Sequence, residues 1–170
     1  MPAYGQVRVF DRSWFEEVLV VRVNELQPPA VWQHTYAGLR AMDWSLEQQG
    51  GVVVKLWLDI TKGEQKKRFE DRARDKPWKL SPSDAEARKK WKKYTRAANE
   101  MFFRTGTDYA PWFIVSSEDK RYSRVNVPRI INQQLEEALG PESDDKGKDE
   151  KKSKDKKEQD KKKPGSGNPL

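Results

Sequence analysis

The sequence of 170 residues carries 34 Lys and Arg against 27 Asp and Glu, a formal charge of +7, with no cysteine and a single histidine. That length supports one domain with a real core rather than two. The absence of cysteine excludes disulfides, thiolate metal sites and cysteine nucleophiles, and His34 alone cannot build a histidine metal centre, so it reads as an ordinary helix residue. The positive balance favours polyanionic partners: nucleic acid, polyphosphate or anionic membrane. No apolar run approaches the roughly 18 to 20 residues that span a bilayer, and the opening MPAYGQVRVFDRSW lacks signal architecture, so a soluble, cytoplasmic protein without a membrane role is the expectation.

In chain order, three short runs have strand character: Gln6–Phe10 (QVRVF), Val52–Ile60 (VVVKLWLDI) and Trp112–Val115 (WFIV). Longer helical patterns separate them, the rhythm of an α/β domain whose later strands are parallel and covered on both faces. Helix starts are legible where Ser13 precedes Glu16, where Thr61 precedes Glu64, and in Ser81-Pro82-Ser83-Asp84, a cap followed by an N1 proline and an N3 acid. From Pro82 to Arg104 one helix is expected, with Ala87, Trp91, Tyr94, Ala98, Met101 and Phe102 as its buried stripe and Lys89, Lys92, Lys93 and Arg96 on the other side. Trp14, Trp57, Trp91 and Trp112 are assigned to packing.

A last helix is expected from about Val127 to Leu139, facing inward with Ile130, Ile131, Leu135, Ala138 and Leu139. Pro128 fits only its first turn, so Lys120–Asn126 reads as an irregular approach or a separate helical turn. Beyond Gly140 the composition breaks: residues 141–170 hold ten lysines, eight acids, no aromatic residue and Leu170 as the one aliphatic side chain. Such a segment cannot build a core and reads as a disordered, solvating tail after a domain spanning residues 1–140.

Chemistry enters with Asp11, which ends the first strand-like run just before a helix start. In open α/β sheets ligands bind at the carboxyl edge, and a strand-end aspartate of this kind holds the magnesium that bridges transferred phosphates in phosphate-loop kinases. The plain alternative is a capping or turn residue. Arg12 stands beside the acid, and Arg22 follows the apolar helix Trp14–Val21, where a charge needs either a wet cleft or a partner such as Glu16, Glu17 or Glu25. Lys66, Lys67, Arg68, Arg72, Arg74, Lys76 and Lys79 then form a basic segment of the sort that neutralises phosphate oxygens during phosphoryl transfer. The alternative is a salt-bridged exposed helix paired with Glu64, Glu70, Asp71, Asp84 and Glu86.

The order FDRSWFEEVLVVRV, then VVVKLWLDITKGEQKKRF, WKLSPSD, RTGTDYAPWFIV and a final helix resembles polyphosphate kinase type 2, from Gly5 to about Leu139. This resemblance implies a three-layer P-loop kinase fold like the thymidylate kinases, with a mainly parallel sheet flanked by helices and a helical lid at about 62–97. It implies Mg2+-dependent transfer between inorganic polyphosphate and a nucleoside mono- or diphosphate. Asp11 matches the metal-binding aspartate and with Arg12 the catalytic pair. Arg22, Arg68, Arg72 and Lys79 match substrate-binding positions, and Lys66 does so more loosely.

One departure is large: none of the ten glycines falls in a G-x-x-x-x-G-K-S/T run, so the loop that cradles phosphates is missing and with it an interior strand. A second is a lid about two residues short between Arg72 and Trp78. A fold truncated at the N-terminus is therefore expected, with neighbouring edges and helix faces exposed and little activity in the chain alone. Expected partners are a missing N-terminal half or further copies of the chain. Nucleic acid is disfavoured, because acids punctuate the basic segment. A non-catalytic remnant or subunit that binds a polyanion shares every feature except a completed active site.

Overall fold

The computed structural model describes residue 3 and residues 5–140; the expected tail, 141–170, lies outside the described residues. The chain divides into two units, Met1–Leu135 and Glu136–Leu170. Of the second, the described part is the last turn of a helix, closed by the Gly140 amide on the Glu136 carbonyl at 3.0 Å.

The element order of the first unit is a π-helical turn (Glu17–Val21), helix α1 (Pro29–Gln48), strand β1 (Lys55–Asp59), helix α2 (Lys62–Asp75), a 3-10 turn (Pro77–Lys79), helices α3 (Pro82–Lys89) and α4 (Trp91–Thr105), strand β2 (Trp112–Ser116) and helix α5 (Lys120–Leu139). The last continues into the second unit. The two strands pair in parallel, Lys55 opposite Trp112 and Asp59 opposite Ser116. An α/β architecture is thus confirmed, with β1 shorter than the expected Val52–Ile60 and β2 close to its expected span.

The first strand-like run is not a strand. Residues 6–10 are irregular and exposed, Val7 at 77% and Val9 at 83%, and the described sheet holds β1 and β2 alone. An alternating apolar pattern states which face would be buried, but a strand exists only where a neighbour completes its ladder of hydrogen bonds.

α1 starts with Pro28 and Pro29, the latter at N1 where its missing N–H costs nothing. It buries Trp32, Tyr36, Leu39 and Asp43 at i, i+4, i+7 and i+11. Its exit needs glycine twice: Gly50 has φ +76°, and a Cβ on Gly51 would stand 2.8 Å from the Leu46 carbonyl oxygen. The core gathers Phe15, Val18, Trp32, Tyr36, Leu39 and Met101, with Trp14, Leu19, Trp57, Phe102 and Trp112 packed around it. Edge-on and tilted ring contacts link Phe15 to Trp112 at 4.9 Å, Trp112 to Phe102 at 5.3 Å and Phe102 to Trp57 at 5.3 Å. Trp91 departs from expectation: it is half-buried and lines an open groove on α4 with Lys92, Thr95, Arg96 and Asn99.

Beneath this cluster Lys55 Nζ meets Asp43 Oδ2 at 2.7 Å and the Thr105 carbonyl at 2.6 Å. Burial pushes the Asp43 carboxyl up and the Lys55 ammonium down, each opposed by the partner's hydrogen bond and charge. The Phe15 and Trp112 rings, 5.5 and 5.4 Å from Nζ, add cation-π attraction. The pair thereby ties α1, the first position of β1 and the end of α4 to one point.

The expected single helix from Pro82 to Arg104 is two helices, broken at Lys90. α5 begins at Lys120, and Pro128 sits in its interior rather than in a first turn. The proline's missing N–H leaves the Arg124 carbonyl without its usual donor, which an exposed helix face tolerates by turning that carbonyl to water.

Candidate active site

Asp11 and Arg12 form a bend between two rings: Phe10 and Trp14 close edge-to-face at 4.9 Å across it. Asp11 and Arg12 are both exposed. Arg12 has φ +59°, a left-handed conformation that a residue with a Cβ adopts at a cost of about 1 kcal/mol. Its guanidinium lies 3.6 Å from Glu16. Ser13 does not form the expected capping box; its hydroxyl accepts from the Phe15 amide at 3.4 Å, and the helical run that follows widens into the π turn.

Arg22 faces neither a cleft nor the three nearby acids. It donates to Glu100 Oε2 at 2.7 Å and to Tyr36 Oη at 3.1 Å, with Trp32 stacked 4.4 Å from its guanidinium carbon. This corrects the expected pairing with Glu16, Glu17 or Glu25: the side chain turns inward between α1 and α4, elements that spacing along the chain cannot bring into view.

The basic segment folds as an antiparallel hairpin of α2 and α3. Arg72 reaches Asp84 at 3.6 Å near one end, and Arg88 donates to the Lys62 carbonyl at 3.0 Å near the other. Thr61 caps α2 by accepting from the Glu64 amide at 3.1 Å, and the box of Ser81 with Asp84 caps α3, both as expected. The hairpin is rooted at the carboxyl ends of the strands: Arg68 donates to the Ser117 and Glu118 carbonyls and to Glu64 at 2.7 Å, and Glu118 accepts from the Thr61 amide. That last bond, with the charges of Arg68 and Lys67, holds the Glu118 carboxyl below its ordinary value.

All five acids named as alternative partners of the basic segment do pair with it: Glu64 with Arg68, Glu70 with Lys66, Asp71 with Arg74, Asp84 with Arg72 and Glu86 with Lys89. Lys66 and Arg74 remain exposed despite their pairs, whereas Arg68 is mostly covered. Lys79 stands exposed on the 3-10 turn beside the exposed Trp78. At the hairpin root, Gln65 Oε1 and Ser117 Oγ are buried polar atoms without a hydrogen-bond partner among the described residues. Sequence reasoning missed Ser117 and Glu118, which a reader of the polar run after β2 could have suspected.

For a metal, the described residues offer no cluster of three or more His, Asp or Glu side chains. Magnesium does not require one, since it is commonly held by one or two carboxylates with phosphate and water oxygens completing the octahedron. Asp11 is an exposed carboxylate beside the left-handed Arg12 and can supply one such oxygen ligand.

The model of the polyphosphate kinase 2 (PPK2) family matches residues 1–142. The chain is 40% identical over 141 residues to the polyphosphate:AMP phosphotransferase of Pseudomonas syringae pv. tomato, covering 82% of this chain and 28% of the relative. It is 36% identical over 138 residues to the AMP/ADP-polyphosphate phosphotransferase of Meiothermus ruber, covering 80% and 52% respectively. The crystal structure of polyphosphate kinase 2 from Arthrobacter aurescens TC1 superposes with a TM-score of 0.74 at 38% identity, over 85% of this chain and 52% of that one. The chain therefore spans between about a quarter and half of the length of these relatives, and it belongs to the polyphosphate kinase 2 family.

Proposed function

We propose that this chain forms the metal-binding and lid-bearing part of a kinase that moves a phosphoryl group between inorganic polyphosphate and a nucleoside mono- or diphosphate. The observation that carries this reading is the basic α2–α3 hairpin rooted on the carboxyl ends of two parallel strands. Ligands of open α/β sheets bind at that edge, and a hinged cationic hairpin there suits a transfer between two polyanions. The relatives add weight, being named for AMP, ADP and GDP as nucleotides and polyphosphate as their counterpart.

In this proposal Asp11 holds Mg2+, and Arg12 lies beside it to meet phosphate oxygens. A metal held there would offset negative charge on the phosphates. Lys79 and Lys66, exposed on the hairpin, grip the phosphate chain directly. Arg68 and Arg72 reach it only by exchanging Glu64 and Asp84 for phosphate, an exchange that a doubly charged phosphate oxygen set favours over a single carboxylate. Arg22, inward and already paired, acts on the site through α4 and α1. The finer fold belongs to the same proposal: a P-loop kinase of three layers, completed by a phosphate-cradling loop and interior strand on another stretch of polypeptide, in the cytoplasm.

The test is a chimera in which residues 5–140 replace the matching part of the Meiothermus ruber relative. Magnesium-dependent transfer from polyphosphate to AMP or ADP is the expected result, and a folded chimera without turnover refutes the proposal. A second reading, a polyphosphate-binding subunit without chemistry, is favoured by the five carboxylates that already occupy the lid cations. Its signature is tight polyphosphate binding by the 170-residue chain with no turnover in the chimera.

A further inference from the structure

Helices α3 and α4 are interrupted at one residue, Lys90, with φ −87° and ψ 12°. Neither glycine nor proline stands there, so the break requires another cause. Lysines occupy positions 89, 90, 92 and 93, where i, i+3 and i, i+4 neighbours repel on a continuous helix. Three of the four are drawn to separate acceptors: Lys89 to Glu86 at 2.7 Å, Lys93 to Glu25 at 2.9 Å, and Lys90 Nζ to Asn24 Oδ1 at 2.8 Å.

Asn24 is itself fixed from two sides. Its Nδ2 donates to the Val20 carbonyl at 3.0 Å and to Tyr94 Oη at 3.1 Å. Val20 belongs to the π turn that follows the Asp11–Arg12 bend, and Tyr94 to the first turn of α4. One amide thus joins the segment behind the candidate metal residue, the helix break and the core helix. Glu25, the next residue, has φ +56°, so left-handed backbone sits at the same junction.

At this same end of the hairpin the other leg, the start of α2, is pinned beyond both strands through Arg68 and Glu118. A change in hairpin angle is therefore absorbed at Lys90, a single non-helical residue between two helices. We infer that the Asn24–Lys90 contact is a hinge latch that sets the direction in which the α2–α3 hairpin leaves the core. Both are positioning residues: they fix the hairpin relative to the π turn and touch no phosphate. This rests on the reading of the hairpin as a phosphate-gripping lid, and its two halves are separable by experiment.

Amide hydrogen exchange of the full 170-residue protein reads the hinge directly. Lys90→Met is expected to speed exchange over residues 62–89 about fivefold, the effect of one lost hydrogen bond, and Asn24→Ala, which also removes the bonds to Val20 and Tyr94, by at least as much, while α1, β1 and β2 keep their rates. The double variant goes no further than Asn24→Ala alone, and Lys90→Arg, which can still donate to Asn24, keeps the original rate. Calorimetry with inorganic polyphosphate of defined length reads the lid: Asn24→Ala weakens binding although every lysine is retained, and Lys90→Arg does not. Unchanged exchange over residues 62–89, an equal rise in the two strands, or additive single effects overturns the latch. Wild-type protein without affinity for polyphosphate overturns the lid reading, and the exchange data then decide the hinge by themselves.

Discussion

Arg22 and Glu100, separated by 78 residues in sequence, meet at 2.7 Å, with Arg104 bonded to the other Glu100 oxygen at 2.8 Å. Burial raises the Glu100 carboxyl, but the hydrogen bond and charge of Arg22, joined by Arg104, outweigh it and hold the group below its ordinary value of 4.5. A depressed folded-state value means that the contribution is complete above the unfolded value and fades as pH falls through the lower folded one. Thermal stability is therefore expected to fall as pH drops below the ordinary carboxyl value of 4.5. Glu100→Gln should lower stability by about 1–3 kcal/mol at pH 7, with the gap to wild type closing at the acid end. Melting curves at both pH values check this, and a gap independent of pH refutes it.

The buried Lys55–Asp43 pair predicts asymmetry between single and double substitutions. Lys55→Met leaves the Asp43 carboxylate buried without its cation, at an expected loss of about 3–5 kcal/mol. Replacing both, with Asp43→Leu beside Lys55→Met, should lose distinctly less, because no uncompensated charge is then left. Urea denaturation of the two variants and the parent decides it; equal losses would show that packing rather than charge dominates.

At the hairpin root, Thr61→Ala removes the acceptor of the Glu64 amide and should destabilise α2 by about 1 kcal/mol. The effect should be local, visible as faster hydrogen exchange over Lys62–Asp75 with little change in α1 or β2. Thr61→Ser, which retains the hydroxyl, should behave like the parent.

For the proposed chemistry, Asp11→Asn in the chimera is expected to lower kcat by at least about 100-fold, the scale for losing one group that stabilises transferring charge. Chelation with EDTA should do the same to the unsubstituted chimera. Lys79→Ala should instead raise the KM for polyphosphate and flatten its dependence on salt, since the attraction of an exposed lysine for phosphate is screened by salt. Steady-state rates at several salt concentrations separate the two behaviours, and full activity in the Asp11→Asn chimera removes Asp11 from the mechanism.

Much of this arrangement was readable beforehand. Thr61 with Glu64, and Ser81 with Asp84, mark two helix starts three residues apart from their partners, so the determinants are local. The two parallel strands follow from short β-branched and aromatic runs, read at Val52–Ile60 and Trp112–Val115 between helical patterns and formed over Lys55–Asp59 and Trp112–Ser116. Asp11 stands out in the sequence as the end of a strand-like run before a helix start, a strand that does not form, and the order Asp11-Arg12-Ser13-Trp14 carries part of the family resemblance. The pairing of the basic segment was visible too, since its acids stand three or four positions from their cations, Asp84 excepted.

Residues 6–10 show the opposite case. Their alternation is a strand's, yet strand formation depends on a neighbour that no local pattern supplies. Arg22 was legible as a charge in need of a partner, but its partner lies on α4. The break at Lys90 depends on Asn24, 66 residues upstream, and the interior position of Pro128 reflects a helix continuing through a residue that local rules place at an end.

The order of residues by itself determined the caps of α2 and α3, the ion pairs three and four positions apart in the hairpin and the family, because these rest on contacts within a few positions or on motif order. Tertiary structure alone decided which runs become strands, which arginines face inward and where the long helix divides. Those outcomes are set by groups far apart in the chain, whose meeting requires the core to have formed.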